Sequence, residues 1–411
     1  MTLKAERLLL FTLAAIQFTN IVDFMIMMPL ADILQKALAI TPAEFGFLVA
    51  AYPLAAGATA FAGVFYLDNL GRKKALMWAY AGFILGTLST AIVPTTEDPR
   101  LNYYLFIGTR LLTGISGGLL GGLVLAIVGD VIPIERRGRA MGIVTIAFSM
   151  AAVLGVPLGL TLVDAFDNNW HIPFYFVGAV AIPVWFVALK FVPPLRDHLE
   201  NKSERNRFET IRIAFTTREM RNALLFTMLL VLGQFTVISF MTPYYINNVG
   251  LEQNQIKWIY LVGGICTAAS GYFIGKLVDK VGRYRIFTIF AFASAALILL
   301  ITHLPPVPLW TVLIIAAFFF IAVSGRMIPA NTITTSVVNP RFRGGFMSLN
   351  SAAMSLASGA SSVIAGSIIQ RTSEHSPLQN YGIVGFVAVT ATMGSLLIVR
   401  MLRNINRANN P

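Results

Sequence analysis

Three ionisable side chains, Asp23, Arg110 and Arg326, stand deep within long apolar runs. Even the lowest insertion scales charge about 2.5 to 3.5 kcal/mol for such a group at the centre of a membrane, so each implies a partner or a task. A carboxylate in that position can carry a proton, because burial favours its neutral form and a nearby cation favours its charged form. Asp23 is therefore the candidate proton-coupling group, with Arg110 as the cation beside it. Protons and a cationic solute would then compete for one site. Two other readings fit the same residues. Asp23 and Arg110 can form a static ion pair that only ties two helices together. Alternatively, an arginine in each half can clamp an anionic solute, since guanidinium binds carboxylate and phosphate bidentately.

Helices must hold these charges. Of 411 residues, 56% are hydrophobic and 12% charged, about half the charged share of a soluble domain. The apolar residues fall into twelve runs, each long enough to cross roughly 30 Å of hydrocarbon. Spans 1 to 6 are Leu8 to Leu30, Phe45 to Leu67, Ala75 to Val93, Tyr103 to Val128, Ala140 to Leu162 and Pro173 to Val192. Spans 7 to 12 are Ala223 to Ile246, Ile256 to Val278, Ile286 to Leu304, Leu309 to Val337, Phe346 to Ile369 and Tyr381 to Leu402. Span 1 is too long for a signal peptide and has no small-x-small cleavage site behind it, so it is read as retained. Asp23 and Arg110 each lie roughly 10 Å below the outer ends of their spans, and Arg326 roughly 24 Å below, which sets Arg326 apart as part of another site or an inner gate.

The net charge of +12 follows topology. With the N-terminus in the cytoplasm, 25 of the 31 Lys and Arg fall in cytoplasmic segments, and only Lys36, Arg100, Lys257 and Arg371 fall outside. This is the positive-inside asymmetry, with both termini cytoplasmic in a bacterial-type inner membrane. The lipid bilayer, not nucleic acid, is the partner that the basic charge implies. One cysteine, Cys266, allows neither an internal disulfide nor a thiolate cluster, and its default role is packing.

The chain reads as two halves. Residues 1–192 form an N-terminal six-helix bundle, 193–222 a basic cytoplasmic linker, and 223–411 a C-terminal six-helix bundle. Asp68-Asn-Leu-Gly-Arg-Lys-Lys74 after span 2 matches Asp279-Lys-Val-Gly-Arg-Tyr-Arg285 after span 8, and Arg137-Gly-Arg-Ala-Met141 matches Arg343-Gly-Gly-Phe-Met347. The two matches recur at nearly one offset and at equivalent places, as parallel repeats require. Glycines Gly114, Gly117, Gly118, Gly121 and Gly122 and prolines Pro53, Pro157, Pro243 and Pro329 lie inside spans, where they allow close approach and kinks.

Those motifs resemble the major facilitator superfamily, and within it the twelve-span drug:proton antiporters and related efflux permeases. The loop 2/3 signature appears as Asp68, Gly71, Arg72 and Lys73, with a degenerate copy at Gly275, Asp279, Gly282 and Arg283; the leading Gly63 stands one position early. Arg110-Leu-Leu-Thr-Gly114, Asp23 through Pro29, and Gly155-Val-Pro-Leu-Gly159 are similar to the antiporter motifs, with Thr113 in place of glutamine and Val156 inserted. The resemblance implies an all-α fold of two pseudo-symmetric bundles that work as a monomer. It also implies a conformational latch of Asp68, Gly71, Arg72 and Asp130, echoed at Asp279, Gly282 and Arg283. Ser336 or Asn339 stands where a second Asp130 would fall, so the strong latch is expected in the N-terminal half only. The positively charged loop residues also serve topology by themselves.

A central cavity between spans 1, 4, 7 and 10 is expected, with Gln17, Asn20, Phe24, Gln234, Tyr244, Tyr245, Arg326 and Asn331 as candidates. Met27, with Met25 and Met28, suits a pliable pocket, although methionines in spans commonly only pack. No phosphate loop and no His-Glu-x-x-His pair is present, so neither ATP nor embedded enzyme chemistry drives the process, and no cofactor is expected. The expectation is proton-coupled efflux of a small amphipathic or cationic compound. The alternative is gradient-driven uptake or exchange of a metabolite such as a sugar or organic anion.

Overall fold

The computed structural model describes residues 3–66, 70–94, 96–195, 207–338, 343–373 and 376–409. All twelve spans are helices. Eleven are long and apolar enough to cross a membrane. The twelfth, span 3 at Arg72–Ala91, has Arg72, Lys73 and Lys74 in its first turn, which dilutes an otherwise apolar stretch. Among the described residues the only strand-like feature is a single bridge between Gln370 and Gln379.

Proline moves several boundaries. Span 1 is the helix Leu3–Met25, five residues short of the expected end at Leu30. Pro29 lacks an amide hydrogen and disfavours helical geometry in the residue before it, so residues 26–30 form a turn. A short helix, Ala31–Ala37, follows and caps the bundle. Span 5 is also interrupted: Ile134–Met150 passes through a wide π turn, Ala151–Gly155, into Val156–Ala165. Pro157 cannot donate to the carbonyl four residues back, and the helix accommodates it by widening. A second wide turn, Tyr245–Val249, follows Pro243 at the end of span 7 and stops at Gly250, whose φ of 89° makes a left-handed cap.

The linker contributes structure as well. Arg207–Thr216 is a helix, and Ala214 and Ile211 pack with Met220, Leu224, Phe346 and Leu349 at the ends of spans 7 and 11. Span 7 itself begins at Arg218, inside the stretch expected to be linker. Residues 196–206 lie outside the described residues.

Span 2 packs along span 11, and span 5 along span 8. Small residues permit it: a Cβ on Gly46 would fall 2.5 Å from the Ser362 carbonyl oxygen, and one on Gly264 would fall 2.9 Å from the Ala152 backbone. The apolar cores show which end is shut. The core on the side away from the linker joins Ile26, Leu34 and Phe45 to Phe240, Met241, Tyr245 and Ile256 from the other half. Toward the linker side, each apolar core among the described residues draws its buried members from one half alone. The halves therefore meet on the far side and part toward the linker side, as in an inward-facing transporter.

Candidate functional site

Span 1 presents Gln17, Asn20 and Phe24 at helical spacing, with Asp23 turned into the bundle. Asp23 lies only two residues from the end of its helix, but the turn after Met25 and the cap helix cover it, and Ile26, Met27, Met28, Leu30 and Ala31 are all buried. Asp23 and Arg110 are each 0% exposed. Arg110 Nη1 donates to Asp23 Oδ2 at 2.7 Å, Nη2 donates to the Asp23 backbone oxygen at 3.3 Å, and the Thr87 hydroxyl donates to Asp23 Oδ1 at 3.0 Å. Spans 1, 3 and 4 thus converge on one carboxylate.

Aromatic rings hold the guanidinium. Arg110 lies 5.0 Å from the centroid of Tyr52 and 5.8 Å from that of Phe174. The Tyr52 hydroxyl donates to Asn20 Oδ1 at 2.5 Å, and the Tyr52 ring stacks on Phe24 at 5.6 Å. Phe24 in turn meets Phe235 of span 7 at 5.7 Å. A continuous chain of contacts therefore runs from Asp23 through Arg110, Tyr52 and Phe24 to the other half. Tyr52 was not among the residues expected at the site. Its signal in the sequence is weak, since one tyrosine beside Pro53 in an apolar span looks like ordinary packing. The Oε1 of Gln17 is buried without a hydrogen-bond partner, one turn nearer the linker side.

Other expected cavity residues are dispersed. Met27, Tyr244 and Tyr245 belong to the far-side core that joins the halves. The Tyr244 hydroxyl donates to the Leu304 carbonyl, and its ring lies 4.5 Å from Tyr381. Gln234 is half-buried and Asn331 exposed, the latter's backbone oxygen accepting from Thr335. Arg326 lies inside the C-terminal half, bonded to spans 9 and 12 through Ser294 and Thr392, apart from the Asp23 cluster.

At the linker side, Arg72 Nε pairs with Asp130 Oδ2 at 3.2 Å, and Lys73 donates to the Leu189 carbonyl, so spans 3, 4 and 6 are tied together. Asp68 and Asn339 lie outside the described residues. In the second copy Asp279 is exposed, Arg283 stacks on Tyr284, and Ser336 bonds its own helix at Ile333. The two motif glycines differ: Gly282 has φ 97°, which requires glycine, whereas Gly71 has φ −59°.

On the far side all four cations outside the basic segments are ion-paired. Lys36 and Arg371 both reach Asp32, at 2.7 and 3.6 Å; Lys257 pairs with Asp164 at 2.8 Å; Arg100 pairs with Glu44. Asn247 bridges the first cluster, donating to Asp32 at 2.8 Å and accepting from Arg371 at 2.8 Å. The Asp32 and Asp164 links cross between the halves and reinforce the apolar seal.

The profile of the Major Facilitator Superfamily matches residues 13–252 and 223–410. An uncharacterised MFS-type transporter, YceJ of Bacillus subtilis, is 24% identical over 378 residues, 91% of each chain. A probable sugar efflux transporter of Helicobacter pylori is 22% identical over 277 residues, 67% of each. Among solved structures, a D-xylose-proton symporter superposes with a TM-score of 0.75 at 18% identity, covering 96% of this chain and 97% of that one. The nucleoside transporter NupG gives 0.71 at 15% identity, covering 97% and 99%. With two helical bundles meeting along spans 2 and 11 and spans 5 and 8, and with this match across nearly its whole length, the chain belongs to the Major Facilitator Superfamily of membrane transporters.

Proposed function

We propose that this transporter is a proton-coupled exporter of a small amphipathic or cationic compound, with the Asp23–Arg110 pair as its proton-responsive element. The observation that carries the reading is a fully buried carboxylate whose oxygens are engaged by Arg110 and Thr87. Protonation would cancel the ion pair and leave Arg110 in need of another acceptor. Because the guanidinium packs on Tyr52, and Tyr52 on Phe24 and Asn20, that change reaches span 2 and the contact with span 7. A cationic solute would compete with Arg110 for Asp23; a neutral amphipathic one would bind the Asn20, Tyr52 and Phe24 surface without displacing it. The alternating states would differ in the far-side seal and in the Arg72–Asp130 latch.

The linker side is assigned to the cytoplasm on the placement of basic residues, which sets both termini inside and the sealed face outside an inner membrane. The transporter is proposed to act as a monomer. Export or exchange of a sugar is the second reading. It is favoured by the relatives described as probable sugar efflux transporters and by the neutral hydrogen-bonding groups beside aromatic faces at Asn20, Tyr52 and Gln17, which suit a hydroxylated solute.

The deciding experiment places purified protein in liposomes loaded with a pH-sensitive dye and adds single cationic, neutral, sugar and anionic solutes. Solute-dependent proton flux in wild type that is absent from Asp23→Asn supports coupling through Asp23. Solute movement with undiminished proton flux in Asp23→Asn removes that role and leaves the pair structural.

A further inference from the structure

Arg110 and Arg326 are both wholly buried, but their surroundings differ in one respect: Arg110 has a carboxylate partner, and among the described residues Arg326 has none. The C-terminal half offers few acids that could supply one. After residue 223 the acidic residues are Glu252, Asp279 and Glu374; the first two are exposed near helix ends, and Glu374 falls between spans 11 and 12.

The hydrogen bonds around Arg326 fix which part of the guanidinium is committed. Nη1 donates to Ser294 Oγ at 3.2 Å and to Thr392 Oγ1 at 3.0 Å. Each hydroxyl has already given its own hydrogen to a carbonyl of its helix, Ser294 to Ala291 and Thr392 to Ala388, both at 2.9 Å. Both therefore act toward Arg326 purely as acceptors, and together they hold its plane from spans 9 and 12. The nitrogens left without partners are Nε and Nη2. In a guanidinium these two lie on one edge with their N–H bonds nearly parallel, the edge that accepts two oxygens of one carboxylate or similar oxyanion.

We propose that Arg326 forms an oxyanion-binding site within the C-terminal half, taking a small monoanion with two oxygens, such as a carboxylate, on its Nε and Nη2 edge. Ser294 and Thr392 are its positioning residues. The anion supplies the countercharge that the helices lack, since an unpaired buried charge is strongly unfavourable and a doubly hydrogen-bonded one is not. The carboxylate has two possible sources: a solute being transported, or a free anion that stays in place. The site does not depend on Asp23 coupling, so loss of that reading would leave it standing.

The test is thermal unfolding of the purified full-length protein, followed by tryptophan fluorescence, during titration with lactate, nitrate and chloride. A saturable rise in Tm with lactate and nitrate, and none with chloride at equal ionic strength, is expected. The rise should vanish in Arg326→Gln, shift to roughly tenfold higher concentration in Arg326→Lys, which keeps the charge but loses the two-nitrogen edge, and persist in Asp23→Asn. Ser294→Ala provides a second variant that keeps the charge; it should weaken lactate binding even if Arg326→Gln does not fold. Exchange of labelled lactate across proteoliposomes, lost in Arg326→Gln, would identify a transported solute as the source; binding without exchange would identify a resident anion. The proposal is overturned by no saturable shift with either oxyanion, by an equal shift with chloride, or by a shift that survives Arg326→Gln.

Discussion

At the scale of single residues, Asp23 and Arg110 illustrate how much a sequence can say about chemistry and how little about context. Two charges in apolar spans demand a partner, and estimated depths put them in one plane; their contact at 2.7 Å follows. Thr87 and Tyr52 were not legible, because a threonine and a tyrosine in apolar helices carry no cost that requires explanation. Breaking such a pair leaves one buried charge uncompensated, so Asp23→Ala should destabilise the protein by about 3 to 5 kcal/mol. The paired replacement Asp23→Leu with Arg110→Met should recover most of that loss in thermal unfolding while transport stays absent. His171 offers a check outside the spans. Burial lowers its pKa below the usual value, against a hydrogen bond from Nδ1 to the Ala91 carbonyl at 2.9 Å. The unfolded chain therefore binds the proton more tightly, and the stability this neutral histidine contributes is lost as pH falls below its ordinary titration range. Moving from about pH 7 to about pH 5 should lower Tm more in wild type than in His171→Gln.

The elements were legible where hydrophobic length alone decides. Each apolar run became a helix, and the errors sit at prolines: Pro29 ends span 1 early, and Pro157 widens span 5. Apolar length records burial in lipid but is silent about hydrogen-bond register, so neither the wide turns nor the docking of Arg207–Thr216 could be read from it. The glycines of span 4 were legible as close-packing positions without the identity of their neighbour, which is span 2. A Cβ on Gly118 would come within 2.3 Å of the Ala56 carbonyl oxygen. Gly118→Val should therefore force spans 2 and 4 apart and cost about 1 to 3 kcal/mol in thermal unfolding, whereas Gly122→Ala, with no atom within 4 Å of the added carbon, should be nearly neutral.

For the whole molecule, the division into six and six spans and the bias of basic residues were legible, because insertion into a membrane reads composition directly. Which side is shut was not, since it depends on pairs from distant parts of the chain, such as Asp32 with Arg371 and Asp164 with Lys257. Removing both links with Arg371→Gln and Lys257→Gln should shift the population toward the state open on the far side. Spin-label distances between the far-side ends of spans 2 and 7 should then lengthen in a larger fraction of molecules, with little change on the linker side. Both of these links have one partner at or beyond a π turn: Asn247 lies within Tyr245–Val249, and Asp164 lies nine residues past Gly155. A π turn holds one residue more than an α turn, and each residue of an α-helix accounts for about 100° of rotation. Tightening either turn by that one residue would swivel everything beyond it by about a quarter of a revolution, carrying Asn247 away from Asp32 or Asp164 away from Lys257, so a slip inside a single helix would act as a ratchet tooth that releases the bolt at its far end.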